Sequence, residues 1–220
     1  KVNSTEPESC WPKYMRKLSQ ALTHLKQDPD LKSLIDRFGI LNYRPGKDLF
    51  TSLVYSIIEQ QLSGKAADTI YSRFLSLFPA GKFTPELILA TELDKLRGIG
   101  TSWAKARSLH DLSQKVLDGT LQLNKLDQMT DEEIINHLVQ VKGIGPWSAQ
   151  MRLMFSLSRP DILPLDDVGI QNAFVKHYGL KRNSRLLKTK MLKIAQKWRP
   201  YRTIACWYLW KSLDNRPGKD

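Results

Sequence analysis

Apolar residues recur at helical spacing in nearly every segment of this chain, and no alternating apolar–polar run is bounded by turn signals as a strand would be. The segment from Trp11 to Gln27 shows the pattern clearly, and Pro29 then ends it because proline breaks a helix from within. The sequence therefore predicts an all-α protein. The predicted helices cover residues 11–27, 50–61, 65–78, 101–118, 146–157, 168–178, 184–197 and 201–213.

Turn and capping signals mark where these helices begin and end. Ser63 and Gly64 separate the second predicted helix from the third, and the Thr-Pro pair at 84–85 is typical of an N-cap followed by proline at the first helical position. The letters TDEE at 130–133 form a capping box, which predicts one more helix. Residues 160–164, which begin and end with proline, form the clearest linker.

The charge of the chain narrows its possible partners. Lysine and arginine number 34 against 22 for aspartate and glutamate, which gives a net charge of +12 in 220 residues. Such an excess is typical of a protein that binds a polyanion, with nucleic acid as the first interpretation and an anionic membrane as the second. No stretch reaches the roughly 18 apolar residues of a membrane span, so we expect no membrane partner, and the start lacks the apolar region of a signal peptide. The start at Lys1 indicates a trimmed chain.

The cysteines and histidines do not indicate a metal or redox site. Cys10 and Cys206 are too few for a disulfide framework, a four-cysteine zinc site or an iron–sulfur cluster, so we expect two ordinary thiols in a reducing compartment. The four histidines stand far apart and lack the spacing of metal ligands.

One short motif occurs twice. The letters LRGIGTSWA at 96–104 and VKGIGPWSA at 141–149 share a Gly-Ile-Gly turn between a short helix and a longer one. Glycines permit a tight turn, and the N-terminus of the following helix presents backbone N–H groups to an anion such as a phosphodiester. The alternative interpretation is an ordinary interhelical turn with glycine as the C-cap.

A carboxylate pair follows the second turn. In PDILPLDDVGI the chain leaves a proline-held segment and enters a helix, so one of Asp166 and Asp167 lies near the N-cap. There a carboxylate receives backbone N–H bonds and stays ionised. The alternative interpretation is a cap without a chemical role.

Three motifs stand in order along the chain: IIEQQLSGKAA at 57–67, VKGIGPWSA with LPLDDVGI between 141 and 170, and WRPYRTIACWYLW at 198–210. Together they resemble the helix-hairpin-helix and aspartate signature of the HhH-GPD DNA glycosylases, in particular the DNA-3-methyladenine glycosylase II branch. The resemblance implies one glycosylase unit of two helical lobes, with double-stranded DNA in the cleft between them. The implied ranges are 11–213 for the unit, 53–158 for the central lobe, 11–52 plus 159–213 for the second lobe, and 1–10 and 214–220 for the tails.

The resemblance also implies roles for single residues. Asp167 matches the catalytic carboxylate, and Trp147 and Trp210 match aromatic positions of the base pocket. Met151 stands where the bacterial type enzyme has an aromatic residue, so the substrate range is in question. The loop that wedges into the duplex matches Gln61, Leu62 and Ser63.

The hairpin carries the remaining implied contacts. Lys142, Gly143 and Gly145 match positions that face a DNA phosphate. The carbonyls of Val139, Val141 and Gly143 match those that can hold Na⁺ or K⁺. No other cofactor is implied. A basic run remains open between a solvated face and further phosphate contacts: Lys181, Arg182, Arg185, Lys188 and Lys190.

The sequence thus predicts a monofunctional DNA glycosylase that excises alkylated purines and leaves an abasic site for base-excision repair. One carboxylate suffices, because an alkylated purine is cationic and leaves as a neutral base. The alternatives are a non-catalytic helix-hairpin-helix DNA-binding module and an oxidised-base or mismatch glycosylase of the same superfamily. We expect a monomer, cytoplasmic in a bacterium or nuclear in a eukaryote.

Overall fold

The computed structural model describes residues 11–40 and 48–213, with the side chains of the first helix from Leu18 onward. Within these ranges it contains α-helices, short 3-10 helices and no β-strand, which confirms the all-α prediction. The predicted tails at 1–10 and 214–220, and Cys10 with them, lie outside the described residues. None of the helices in the described ranges is long and apolar enough to cross a membrane.

The described helices are numbered in chain order. They are α1 (Trp11–Leu25), α2 (Pro29–Phe38), α3 (Leu49–Glu59), α4 (Gly64–Leu75), α5 (Pro85–Ala90), α6 (Leu93–Gly98), α7 (Trp103–Leu117), α8 (Asp131–Leu138), α9 (Pro146–Phe155), α10 (Val168–Tyr178), α11 (Leu187–Ala195) and α12 (Arg202–Lys211). Short 3-10 helices lie at Pro79–Gly81, Leu123–Gln128 and Gln196–Trp198.

Capping side chains set several of these starts as the sequence predicts. The Thr130 side chain accepts from the Glu133 N–H while the Glu133 carboxylate accepts from the Thr130 N–H, so the capping box is present. Pro29 ends the first helical pattern, but it also stands at the first position of α2, a helix that the sequence analysis did not predict. The Asp28 carboxylate caps α2 by accepting from the N–H groups of Asp30 and Leu31.

The helices form two compact units. Among the described residues, unit 1 consists of 11–40 and 160–213, and unit 2 consists of 48–159. The predicted lobes divide at residue 53, inside α3, whereas the structure keeps α3 whole in unit 2. The reason is packing, because α3 contacts α4, α7 and α9 along its length.

Each unit has its own apolar core. In unit 2, α3 buries Leu53, Val54, Ile57 and Ile58 completely. In unit 1, α12 packs against α10 and α2, and the rings of Phe174, Tyr178 and Trp198 contact one another in pairs. Large buried side chains of this kind contribute about 1.5–3 kcal/mol each to folding, which makes both units firm supports for short polar segments.

Candidate active site

Asp167 is the N-cap of α10 and is almost fully buried, with 9% of its surface exposed. Its Oδ1 accepts from the N–H of Ile170 at 2.7 Å and from the indole Nε1 of Trp210 at 2.8 Å. The first of these bonds is the usual N-cap contact, and the second comes from another helix, α12. The Asp167 carboxylate therefore has a fixed orientation within unit 1.

The two adjacent aspartates differ sharply. The Asp166 side chain is 72% exposed and forms an ion pair with Lys188. Asp167 points inward, and it is the residue that caps the helix. The structure thus assigns the N-cap, which the sequence left open between the two, and it leaves Asp166 as a surface charge neutralised by one member of the basic run.

Gly169 makes the contact between Trp210 and Asp167 possible. A Cβ atom at position 169 would lie 2.9 Å from Cδ1 of Trp210 and 3.0 Å from Oδ1 of Asp167. Only a residue without a side chain fits there. The sequence analysis missed this residue, although a glycine two positions after a helix cap is a recognisable signal, because glycine weakens a helix unless a close approach requires it.

The start of α12 holds the segment that leads to Asp167. Arg202 donates from Nε to Oδ1 of Asp161 at 2.7 Å and from Nη2 to Oδ2 at 3.0 Å. Thr203 donates its N–H to the carbonyl of Pro160 and accepts at Oγ1 from the N–H of Ile162 at 3.0 Å. One helix therefore fixes the linker at its first turn and supplies Trp210 near its end.

Cys206 lies between these two parts of α12 and is fully buried. Burial raises the pKa of its thiol, and the nearby Asp167 charge raises it further. The thiol stays protonated near neutral pH, so it cannot act as a nucleophile.

The second Gly-Ile-Gly turn joins α8 to α9 in unit 2. Gly143 has φ of +82°, and a Cβ there would lie 2.7 Å from Oγ of Ser108, so the turn requires glycine for both its backbone and its space. Val141 and Ile144 bury their side chains beneath the turn. Gly145 is the N-cap of α9, and no side chain caps this helix.

Lys142 projects from the turn, with its side chain 73% exposed. Its backbone N–H donates to Oδ2 of Asp111 at 2.8 Å, and its Nζ lies 3.8 Å from Oδ1 of the same carboxylate. The backbone of the turn is therefore fixed from inside the unit, while the ammonium group remains accessible to an external anion.

The predicted cation ligands are carbonyls of this turn. The Val141 carbonyl accepts from the N–H of Ile144 at 3.0 Å, and the Gly143 carbonyl accepts from Nε2 of Gln60 at 2.7 Å. Each of these two carbonyls keeps a second lone pair. The role of Val139, Val141 and Gly143 stays a prediction. Among the described side chains, no group of three or more His, Cys, Asp or Glu residues could hold a metal ion.

The remaining predicted residues lie in both units. The loop Gln61–Ser63 joins α3 to α4 in unit 2, with Gln61 and Ser63 exposed and Leu62 half-buried. Trp147 is 47% exposed and Met151 6% exposed, one turn apart on α9 in unit 2. Trp210 lies in unit 1. The base pocket that these aromatic positions would line stays a prediction.

Comparisons with known proteins identify relatives of this chain by sequence. Residues 54–200 match the family described as HhH-GPD superfamily base excision DNA repair protein. DNA-3-methyladenine glycosylase 1 of Schizosaccharomyces pombe is 36% identical over 205 residues, which cover 89% of this chain and 87% of that protein.

Solved structures give the same result. The 3-methyladenine DNA glycosylase of S. pombe in complex with abasic DNA superposes with a TM-score of 0.76 at 33% identity and covers 91% of this chain and 100% of that chain. A DNA-3-methyladenine glycosidase from Bacillus halodurans superposes with a TM-score of 0.79 at 35% identity, covering 88% of each chain. This chain therefore belongs to the HhH-GPD superfamily of base excision DNA repair proteins.

Proposed function

We propose that this protein is a monofunctional DNA glycosylase that hydrolyses the N-glycosidic bond of alkylated purines, such as 3-methyladenine and 7-methylguanine, and leaves an abasic site for base-excision repair. The observation that carries the proposal is the buried carboxylate of Asp167 after the hairpin and linker, oriented by Ile170 and Trp210. The substrate class is supported by the name of the S. pombe relative, DNA-3-methyladenine glycosylase 1.

One carboxylate fits the chemistry of these substrates. A purine alkylated at N3 or N7 carries a positive charge and leaves as a neutral base, so no acid is needed to protonate the leaving group. Ordinary glycosidases need two carboxyl groups with separate roles. Asp167 stabilises the positive charge that develops on the sugar as the bond breaks, and it can also orient the attacking water.

The aromatic residues contribute to recognition of the base. The damaged nucleotide must leave the stack, which costs a few kcal/mol and less for a damaged pair. An indole face attracts a cationic base by about 0.5–2 kcal/mol. Trp147 and Trp210 supply such faces, and Trp210 also donates to Asp167 through its N–H.

Water is the nucleophile in this proposal. The strand-cleaving branches of the superfamily use a lysine just after the hairpin glycines, and Trp147 occupies that position here. Lys142 precedes the glycines, and Asp111 holds its backbone and lies near its ammonium group. The product is then an intact strand with an abasic site.

The test is to incubate the full chain with methylated duplex DNA and identify the bases that are released. Release of methylated purines is expected, and the absence of any release would favour the non-catalytic DNA-binding module. Borohydride is added to a parallel reaction, where it would trap a lysine–sugar adduct as a covalent band. Such a band, lost in Lys142→Ala, would contradict the monofunctional mechanism.

The reaction as proposed needs no cofactor, and the chain acts as a monomer. Na⁺ or K⁺ at the hairpin would strengthen phosphate binding without entering the chemistry. Replacing both ions by a large organic cation at constant ionic strength should therefore weaken DNA binding and leave the single-turnover rate of the bound complex unchanged. Sedimentation of the protein–DNA complex gives the stoichiometry, and a ratio of two chains to one duplex would contradict the monomer.

A further inference from the structure

The C-terminal end of α3 is held by a lysine from another helix. Lys105, in the first turn of α7, donates from Nζ to the carbonyl of Ile58 at 2.8 Å and to that of Gln60 at 2.7 Å. The last carbonyls of a helix have no partner within it, so an ammonium group there satisfies them and interacts favourably with the helix dipole. These two bonds use two of the three donors of Lys105, whose pKa burial lowers.

Gln60, at the same end of α3, makes a hydrogen bond to the hairpin turn. Its side chain donates from Nε2 to the carbonyl of Gly143, in the hairpin turn, at 2.7 Å. The turn is also held by α7, because Asp111 accepts from the N–H of Lys142 and Ser108 lies against Gly143. One helix of unit 2 therefore contacts both the end of α3 and the hairpin turn, and Gln60 joins the two directly.

The residue that follows Gln60 has an unusual backbone. Gln61 has φ of +57°, a left-handed conformation that disfavours any residue with a side chain and persists where the surrounding contacts impose it. The next N–H, that of Leu62, donates to the carbonyl of Glu59 at 3.0 Å. Hydrogen bonds therefore hold the backbone on both sides of Gln61, while Gln61 and Ser63 remain exposed.

We propose that Lys105 and Gln60 are positioning residues that fix the loop Gln61–Ser63 against the hairpin turn in the shape needed to enter the duplex. The proposal rests on the proposed glycosylase function, since only an enzyme that extrudes a nucleotide needs such a wedge. A loop that is already ordered loses little conformational freedom on insertion, so more of its contact energy opposes the stacking of the damaged base. Binding of a phosphate at the hairpin then sets the position of the wedge as well.

The test compares variants that remove the hydrogen bonds of Lys105 or of Gln60 with matched substitutions elsewhere in unit 2. Lys105→Met and Gln60→Met keep the length of the side chain and remove its donors. Lys125→Met and Gln128→Met make the same chemical changes at exposed positions in the 3-10 helix Leu123–Gln128. Lys105→Arg keeps a charged donor at this position, so its rates and affinities should stay close to those of the wild type.

Each variant is assayed on one methylated base in two contexts, a fully paired duplex and a short bubble of unpaired bases. Extrusion is resisted by stacking and pairing only in the first context. Lys105→Met should slow release from the paired duplex about tenfold and Gln60→Met about threefold, the sizes expected for a charge-assisted and a neutral hydrogen bond. In the bubble both should stay within about twofold of the wild type, as should the control variants in both contexts.

Two binding measurements separate positioning from a general structural role. Both variants should bind a stable abasic analogue more weakly while their affinity for undamaged duplex is unchanged. The rise in fluorescence of 2-aminopurine placed beside the lesion, which reports unstacking, should be smaller for both. These two measurements do not depend on base release, so they test the positioning role of Lys105 and Gln60 independently of catalysis. If the wild type releases no base, only the proposed glycosylase function is overturned.

Equal losses on paired and bubble substrates, equal weakening on abasic and undamaged DNA, or no loss anywhere would overturn the proposal. Thermal unfolding of each variant checks that it folds. If Lys105→Met does not fold, Gln60→Met, whose side chain is half-exposed, carries the same comparisons.

Discussion

Two helices of this protein treat the amides of their first turn in opposite ways. At the start of α10, the Asp167 carboxylate accepts from Ile170 and Trp210, so the helix N-terminus fixes a charge that belongs to the chain itself. At the start of α9, Gly145 offers no side chain and Pro146 follows, so no side chain competes for an anion from outside. Under the proposed function the difference corresponds to two tasks: α10 would supply the charge for the chemistry, and α9 would supply a binding site for phosphate.

The largest effect on the rate of base release is expected when the carboxylate at the start of α10 is removed. Asp167→Asn keeps the shape of the side chain and should lower the single-turnover rate of base release by roughly 10²–10³-fold, the loss typical of a missing electrostatic group in an active site. Affinity for an abasic duplex should stay equal or rise, because a negative charge near phosphates is lost.

Asp166→Asn is the matched control for Asp167→Asn. Its side chain is exposed and paired with Lys188, so the variant should cost far less activity. The reverse order of the two variants would show that the assignment within the pair is wrong.

A second test disturbs the geometry at α10 and keeps the charge. Gly169→Ala places a methyl group about where the Trp210 indole and the Asp167 carboxylate meet, so one of them must move. Displacements on the order of 1 Å cost about 10²-fold in rate, and we expect a loss of about 10–10²-fold with unchanged DNA affinity. Gly98→Ala is the control, because a Cβ there meets nothing. A wild-type rate for Gly169→Ala would mean that the indole contact is dispensable.

The corresponding change at the hairpin should act on binding and stability instead of rate. Gly143→Ala combines a left-handed backbone with an overlap against Ser108 and should lower the free energy of unfolding by about 1–3 kcal/mol. Binding to undamaged duplex should weaken, because the substitution displaces the turn that is proposed to contact phosphate. Adding Ser108→Ala removes the overlapping oxygen and should restore part of the stability, which denaturant unfolding of the double variant measures.

The smallest expected effect is the difference between charge reversal at the two Gly-Ile-Gly turns. Lys142→Glu and Arg97→Glu change the charge equally, but Ser102 already caps α7 by accepting from the N–H of Lys105. Lys142→Glu should weaken binding to every sequence and lower the slope of log K against log salt by about one. Arg97→Glu should do less, and equal slopes for both variants would make the two turns equivalent.

The sequence predicted most helices because capping residues and apolar spacing act locally. The Thr130 capping box and the start of α10 at Val168 are examples. Helix α2 was not predicted, although the pair Asp28-Pro29 is a typical helix start. The two Gly-Ile-Gly turns show the limit of a motif. Their letters are nearly the same, and the cap of the following helix, serine in one and glycine in the other, distinguishes them.

Residues that act through distant partners could not be predicted in this way. Asp161 with Arg202, Gly169 with Trp210, and Gln60 with Gly143 are far apart in the chain, and each polar or small residue alone suggests an ordinary surface or helix position. Their roles follow from packing, which sets the side chains that meet. The predicted catalytic, wedge and pocket roles came from the family resemblance and remain to be tested by the variants above.

The burial of Cys206 should protect the protein from chemical modification by the same electrophiles that alkylate DNA. A cell that accumulates alkylated DNA also contains the electrophiles that produced it, and an accessible thiolate beside Asp167 would be consumed by them. Here the sulfur is enclosed by α12 and its surroundings and remains protonated. In a Cys10→Ser background, iodoacetamide should label the native protein only as fast as unit 1 opens, so mass spectrometry of the labelled chain measures how often the active-site region unfolds.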